Sequence, residues 1–207
     1  MTGAREAVLA RIRGALADGA SVPGVPRDYA ESGGASREEV AARFVERVEE
    51  MGGAVVTASD PRSGIAAALA GHGASRVVVA PDLPAAFRPD DVEVVEDPSL
   101  SPWDLESLDG AVTTCAAACA ATGTVALDGG PGQGRRAITL VPDLHVCVVD
   151  RGQILETVPE LFERLAPSAR AGRPIVLVTG PSATSDLGFE RGEGVHGPRN
   201  LVVVLAP

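Results

Sequence analysis

Hydrophobic positions along this chain switch between two periods. Val8, Leu9, Ile12 and Leu16 recur at helical spacing, which predicts a helix over 4–18. Residues 19–35 are rich in Gly, Pro and Ser and read as an extended connector. Ser36 with Glu39 forms a capping box, so a second helix is predicted over 37–51, stopping at Gly52-Gly53. Short apolar runs then alternate with polar stretches. Strands are predicted at 54–57, 76–80, 92–95, 111–114, 124–127, 145–150, 174–179 and 201–205, and helices at 60–72, 102–108 and 153–165. Unbroken Val-rich runs such as Val77-Val78-Val79 belong to strands buried on both faces. The pattern predicts an α/β fold, an open and mostly parallel sheet flanked by helices. Residues 1–50 read as an N-terminal helical arm and 51–207 as a single α/β domain.

Composition narrows the chemistry. The 207 residues are 45% hydrophobic but only 3% aromatic, so the core must be built from Val, Leu, Ile and Ala. A net charge of −10 argues against nucleic acid and anionic membranes as partners. No apolar stretch reaches the roughly 18 residues of a membrane span. The first twenty residues lack the continuous apolar segment of a secretion signal, so a cytoplasmic protein is expected. All eighteen basic residues are Arg. Without Lys there is no Schiff-base chemistry and no phosphate-binding P-loop. Cys115, Cys119 and Cys147 suit a reducing compartment, and their spacing fits neither zinc nor an iron–sulfur cluster. No Gly-x-Gly-x-x-Gly run follows a strand and opens a helix. No metal and no bound cofactor are expected.

Candidate chemistry gathers in the last third, in polar blocks at the ends of apolar runs. Thr122-Gly123-Thr124 precedes a strand, and its hydroxyls and amides suit a phosphate, carboxylate or acyl oxygen, although a plain tight turn needs the same residues. Arg135-Arg136 follows the loop Asp128 to Gly134; one guanidinium can fork onto an anion while the other faces away. His145 opens a strand and His196 lies in Gly194-Val195-His196-Gly197-Pro198; each suits proton transfer or substrate orientation, or a purely structural hydrogen bond. Gly180, Ser182, Thr184 and Asp186 follow another strand and read as a glycine turn entering a short helix, either an anion nest or simple N-capping. Polar turns at the carboxyl ends of parallel strands would collect these residues on one sheet edge, with Arg136 and His145 beside the hydroxyls.

In this order the blocks resemble the LUD-domain family. The resemblance covers nearly the whole chain. It rests on Thr122-Gly123-Thr124-Val125, on Arg135-Arg136 through Pro142 to His145, on Gly180-Pro181-Ser182 with Thr184 and Asp186, and on Gly194 to Pro198. It implies a fold like that of ribose-5-phosphate isomerase, glucosamine-phosphate deaminase and the CoA transferases. It further implies a subunit of a system that oxidises L-lactate to pyruvate with iron–sulfur protein partners, carrying no cluster itself and binding a small anion. Two positions depart from the family pattern: Ala121 stands where members commonly have Glu, and Ala183 where they often have Arg. The missing carboxylate weakens the case for a catalytic role. The alternative is a free-standing enzyme or sensor for a sugar phosphate or acyl-CoA.

Overall fold

The computed structural model describes residues 2–16, 24–27, 29–184, 192–194 and 196–207. The chain forms two compact units, Met1–Ala30 and Glu31–Pro207. The first contains α1 (Thr2–Leu16), on which Val8, Ile12 and Leu16 are exposed. In the second, α2 (Arg37–Glu50) is followed by β1 (Ala54–Thr57), α3 (Pro61–Gly71), β2 (Arg76–Val79), β3 (Glu93–Glu96), α4 (Pro102–Glu106) and β4 (Gly110–Thr113). Next come β5 (Ala117–Cys119), β6 (Thr124–Leu127), β7 (Leu144–Asp150), β8 (Ile154–Leu155) and α5 (Val158–Arg170). The chain ends with β9 (Val176–Val178), β10 (Ala183–Thr184), β11 (Gly192–Glu193) and β12 (Asn200–Ala206).

Six strands form a wholly parallel sheet in the order β1-β12-β7-β4-β2-β3. This is the open parallel sheet the Val-rich runs predict. Its faces are set by alternation along each strand. Val146 and Val148, with Val202 and Val204, pack on Ile65 and Leu69 of α3. Cys147, Val149, Val203 and Leu205 point the other way. There they meet Val125 and Leu127 of a second sheet and Phe44 and Val48 of α2. That second sheet runs β8-β5-β6-β9, with β6 antiparallel to both neighbours. Leu161 and Leu165 of α5 cover its far side. The α2 helix expected in an arm is therefore part of the α/β core, because Val40, Ala41, Phe44 and Val48 make its inner face apolar.

Local signals explain most element ends. Ser36 and Glu39 form the capping box of α2, and Asp60 caps α3. The helix expected over 153–165 begins later, at Val158, where Thr157 and Glu160 make another capping box and Pro sits in the first turn. The helix start expected at Thr184 is instead a short antiparallel pairing of Ala183–Thr184 with Gly192–Glu193. No described helix is long and apolar enough to cross a membrane.

Candidate functional site

The antiparallel pairing of β6 with β9 sets the position of the site. Val125 lies opposite Val178, so the turn entering β6 and the turn leaving β9 meet on one edge. Parts of two polar blocks and His145 come together, but not at the carboxyl ends of parallel strands as the sequence suggests. The cleft lies beside the amino ends of β7 and β12, where His145 and Leu201 are each the second residue of their strand. It has a volume of about 260 Å³ and is walled by β9, the Gly180–Ala183 stretch and His196 to Pro198.

Of the expected residues, His145, Gly180, Ser182 and His196 line this cleft. Ser182 organises the wall. Its backbone N–H donates to the Pro198 carbonyl at 2.8 Å, and its hydroxyl accepts from the His196 N–H at 3.0 Å. Thr122 and Thr124 reach the rim indirectly. Thr122 Oγ1 lies 2.7 Å from Thr124 Oγ1, which lies 2.7 Å from Thr179 Oγ1, and Thr179 lines the cleft. Asp186 lies outside the described residues, and Thr184 is seen here as a β10 residue.

Three residues hold places other than those expected. Gly123 does not cradle a ligand. At φ +63° it packs on the end of α2, where a Cβ would come within 2.7 Å of the Arg47 carbonyl carbon and the Val48 nitrogen. Arg135 is drawn away to Asp97. Its Nε and Nη2 lie 2.6 and 3.0 Å from the two carboxylate oxygens, a bidentate pair, and Nη2 also donates to the Leu100 carbonyl. Burial alone would raise the Asp97 pKa, but the hydrogen bonds from Arg135 and the Leu100 N–H hold it below its ordinary value. Arg136 lines a separate small cavity that shares Thr139 and Val176 with the cleft.

His145 is the chemically distinctive group. It is 1% exposed, and burial pushes its pKa down to about 4, so the imidazole is neutral near pH 7. Its Nε2 lies 2.8 Å from the Thr113 hydroxyl, while Nδ1 has no hydrogen-bond partner among the described residues. When the Thr113 hydroxyl donates to Nε2, the ring proton resides on Nδ1, leaving one buried donor without an acceptor. Such a group costs about 1–3 kcal/mol until something accepts from it. Thr113, Thr139 and Thr179 were not singled out in the sequence. Only Thr179 carried a signal, as the polar end of an apolar run.

The cysteines are buried and free. The neighbouring Cys147 thiol, with burial, raises the pKa of Cys115. Among the described residues no group of three or more His, Cys, Asp or Glu side chains is placed to hold a metal.

Comparison with known proteins places the chain in a class. The LUD domain family model matches residues 104–206. The lactate utilization protein C of Deinococcus radiodurans is 43% identical over 173 residues, spanning 82% of this chain and 81% of that protein. An uncharacterized protein of Neisseria meningitidis serogroup B is 30% identical over 107 residues, 49% of this chain and 45% of its own length. The crystal structure of a DUF162 family protein from Deinococcus radiodurans superposes with a TM-score of 0.73 at 38% identity, covering 84% of this chain and all of that one. The chain belongs to the LUD-domain family.

Proposed function

We propose that the chain serves lactate utilisation in the cytoplasm, as a subunit that acts with iron–sulfur protein partners in oxidising L-lactate to pyruvate. In this reading the cleft beside β7 and β12 holds the carboxylate of a small hydroxy or oxo acid. The main support is His145, a neutral buried imidazole with an unsatisfied Nδ1, in a cleft lined by apolar side chains, a few hydroxyls and His196. A carboxylate oxygen would accept from Nδ1. The methyl of lactate or pyruvate would lie against Val176, Val178 or Leu201. Arg136 stands next to the cleft and supplies the counter-charge, whereas Arg135 is committed to Asp97. The 43% identity to a lactate utilization protein C supports the pathway. The buried free thiols suit a reducing compartment.

Calorimetry with L-lactate and pyruvate tests the cleft. Arg136→Ala should weaken binding about fivefold, through loss of a nearby positive charge worth about 1 kcal/mol. Arg135→Ala should leave affinity within twofold and lower stability instead. Unchanged affinity in Arg136→Ala, or no binding of either acid by the native protein, defeats the assignment of the cleft. Co-purification from native cells tests the partners: absence of any iron–sulfur protein under anaerobic conditions counts against the subunit reading.

A further inference from the structure

A second cavity, of about 310 Å³, opens where the carboxyl end of β7 meets the first turns of α2 and α5. Arg37, Arg151 and Arg164 all line it. In the α/β unit Arg43, Arg47, Arg62, Arg76, Arg88, Arg135, Arg173 and Arg199 each lie within 4.0 Å of a carboxylate. Arg37, Arg136, Arg151, Arg164 and Arg170 have no such partner among the described residues. Three of those five, all exposed, therefore line one cavity in a protein with a net charge of −10, and Arg164 also borders the neighbouring cavity beside Asp128 and Arg173.

The two carboxylates in the lining do not answer that charge. Glu156 is paired with Arg43 at 3.1 Å and accepts from the Ala35 N–H at 2.9 Å. Glu160 accepts from the Thr157 N–H at 2.7 Å and the Gly33 N–H at 3.3 Å. Backbone hydrogen bonds, the Thr157 one foremost, hold its pKa below the ordinary value. Asp150, just before Arg151, is engaged by the Gly152 N–H at 2.7 Å. Both lining acids are thus engaged by contacts of their own. Meanwhile the Arg37, Arg151 and Arg164 guanidiniums donate no hydrogen bond to any described residue.

We propose that this cavity is a binding site for a phosphoryl-bearing small molecule, distinct from the cleft beside His145. A guanidinium fork spans two oxygens of an oxyanion. Three forks around one space match a group with three or more oxygens and at least two charges. A monocarboxylate offers two oxygens and one charge. The position agrees with the rule for open α/β sheets, since Arg151 directly follows a central parallel strand at its carboxyl end. The volume exceeds that of a bare phosphate and leaves room for the body that carries it.

Inorganic pyrophosphate and adenosine diphosphate are the probes, titrated calorimetrically at low ionic strength into the full-length protein. The native protein should bind both. Tighter binding of the nucleotide would show that the cavity also holds its organic part, and equal binding that the phosphates suffice. Arg151→Glu and Arg164→Glu should each weaken binding at least tenfold, with circular dichroism confirming the fold. Arg170→Glu, the same charge change at an unpaired arginine outside the cavity, should stay within twofold. No binding of either probe at millimolar concentration overturns the proposal. So does a loss in Arg170→Glu equal to that in Arg151→Glu, because attraction by overall charge would then explain the result.

Discussion

Replacing Gly123 by Ala separates structure from ligand contact in the Thr-Gly-Thr turn. At φ +63° an L side chain strains the backbone by about 1–2 kcal/mol. The added Cβ would also sit 2.7 Å from main-chain atoms of Arg47 and Val48 and 2.8 Å from the Arg47 carbonyl oxygen. These are backbone atoms of α2, and they cannot swing aside as a side-chain tip would. Forcing the helix end and the turn apart costs about another 1–3 kcal/mol, as overpacking usually does. The expected loss is about 2–5 kcal/mol, a large share of the roughly 5–15 kcal/mol that holds such a domain together. Urea unfolding followed by circular dichroism reads it directly. Gly71→Ala is the control, because the last residue of α3 has nothing within 4 Å of a new Cβ. That change should be neutral or stabilising by up to about 1 kcal/mol. A Gly123→Ala protein as stable as the native one, but with weakened lactate or pyruvate binding, would refute the packing role and restore the turn as a ligand cradle.

Two further outcomes depend on pH. Asp97→Asn should cost about 1–3 kcal/mol near neutrality, since it breaks a bidentate pair with a buried carboxylate but a part-exposed Arg135. Because the folded Asp97 pKa is lowered, its contribution is present above the ordinary carboxylate range and lost as pH falls through the lowered value. The gap between native and Asp97→Asn unfolding midpoints should therefore narrow below about pH 4, and a gap that widens there contradicts the pairing. His145 behaves in the opposite chemical sense but the same pH direction. Its folded pKa of about 4 lies under the ordinary 6.5 of imidazole, so stability present above pH 6.5 drains away by about 3 kcal/mol as pH falls towards 4. Its ring resonances, assigned by their loss in His145→Gln, should stay in the neutral position at pH 5.5; titration near 6.5 would show an accessible ring.

The parallel sheet was legible because its central strands are buried on both faces and rich in apolar residues, Val above all. β7 and β12 needed only their unbroken apolar runs. The second sheet was not legible. β5 reads Ala-Ala-Cys and β8 is only two residues long, so neither has a periodic signal, and pairing between distant short strands leaves no local mark. That gap misplaced the site. The turns at Thr124 and Thr179 meet through antiparallel β6 and β9, which no reading of a purely parallel sheet could supply. Arg135 and Arg136 were indistinguishable as neighbours; the deciding partner, Asp97, lies 38 residues away in the chain. The late start of α5 was different. Its capping box at Thr157 and Glu160 was present in the sequence, and the apolar run from Ile154 obscured it.

Gly123 and Gly180 come from different turns, yet both rest on the carboxyl end of α2. Gly180 approaches it so closely that a Cβ would lie 2.4 Å from the Met51 carbonyl oxygen. One turn enters β6 and the other leaves β9 towards the cleft wall. The helix end is thus a common abutment, and neither turn can shift without displacing the other through it. In exchange terms, the amides closing α2, Gly52 and Gly53 among them, should open together with those at Gly123 and Gly180. A ligand that steadies the cleft wall would then slow deuterium uptake at the end of a helix it never touches.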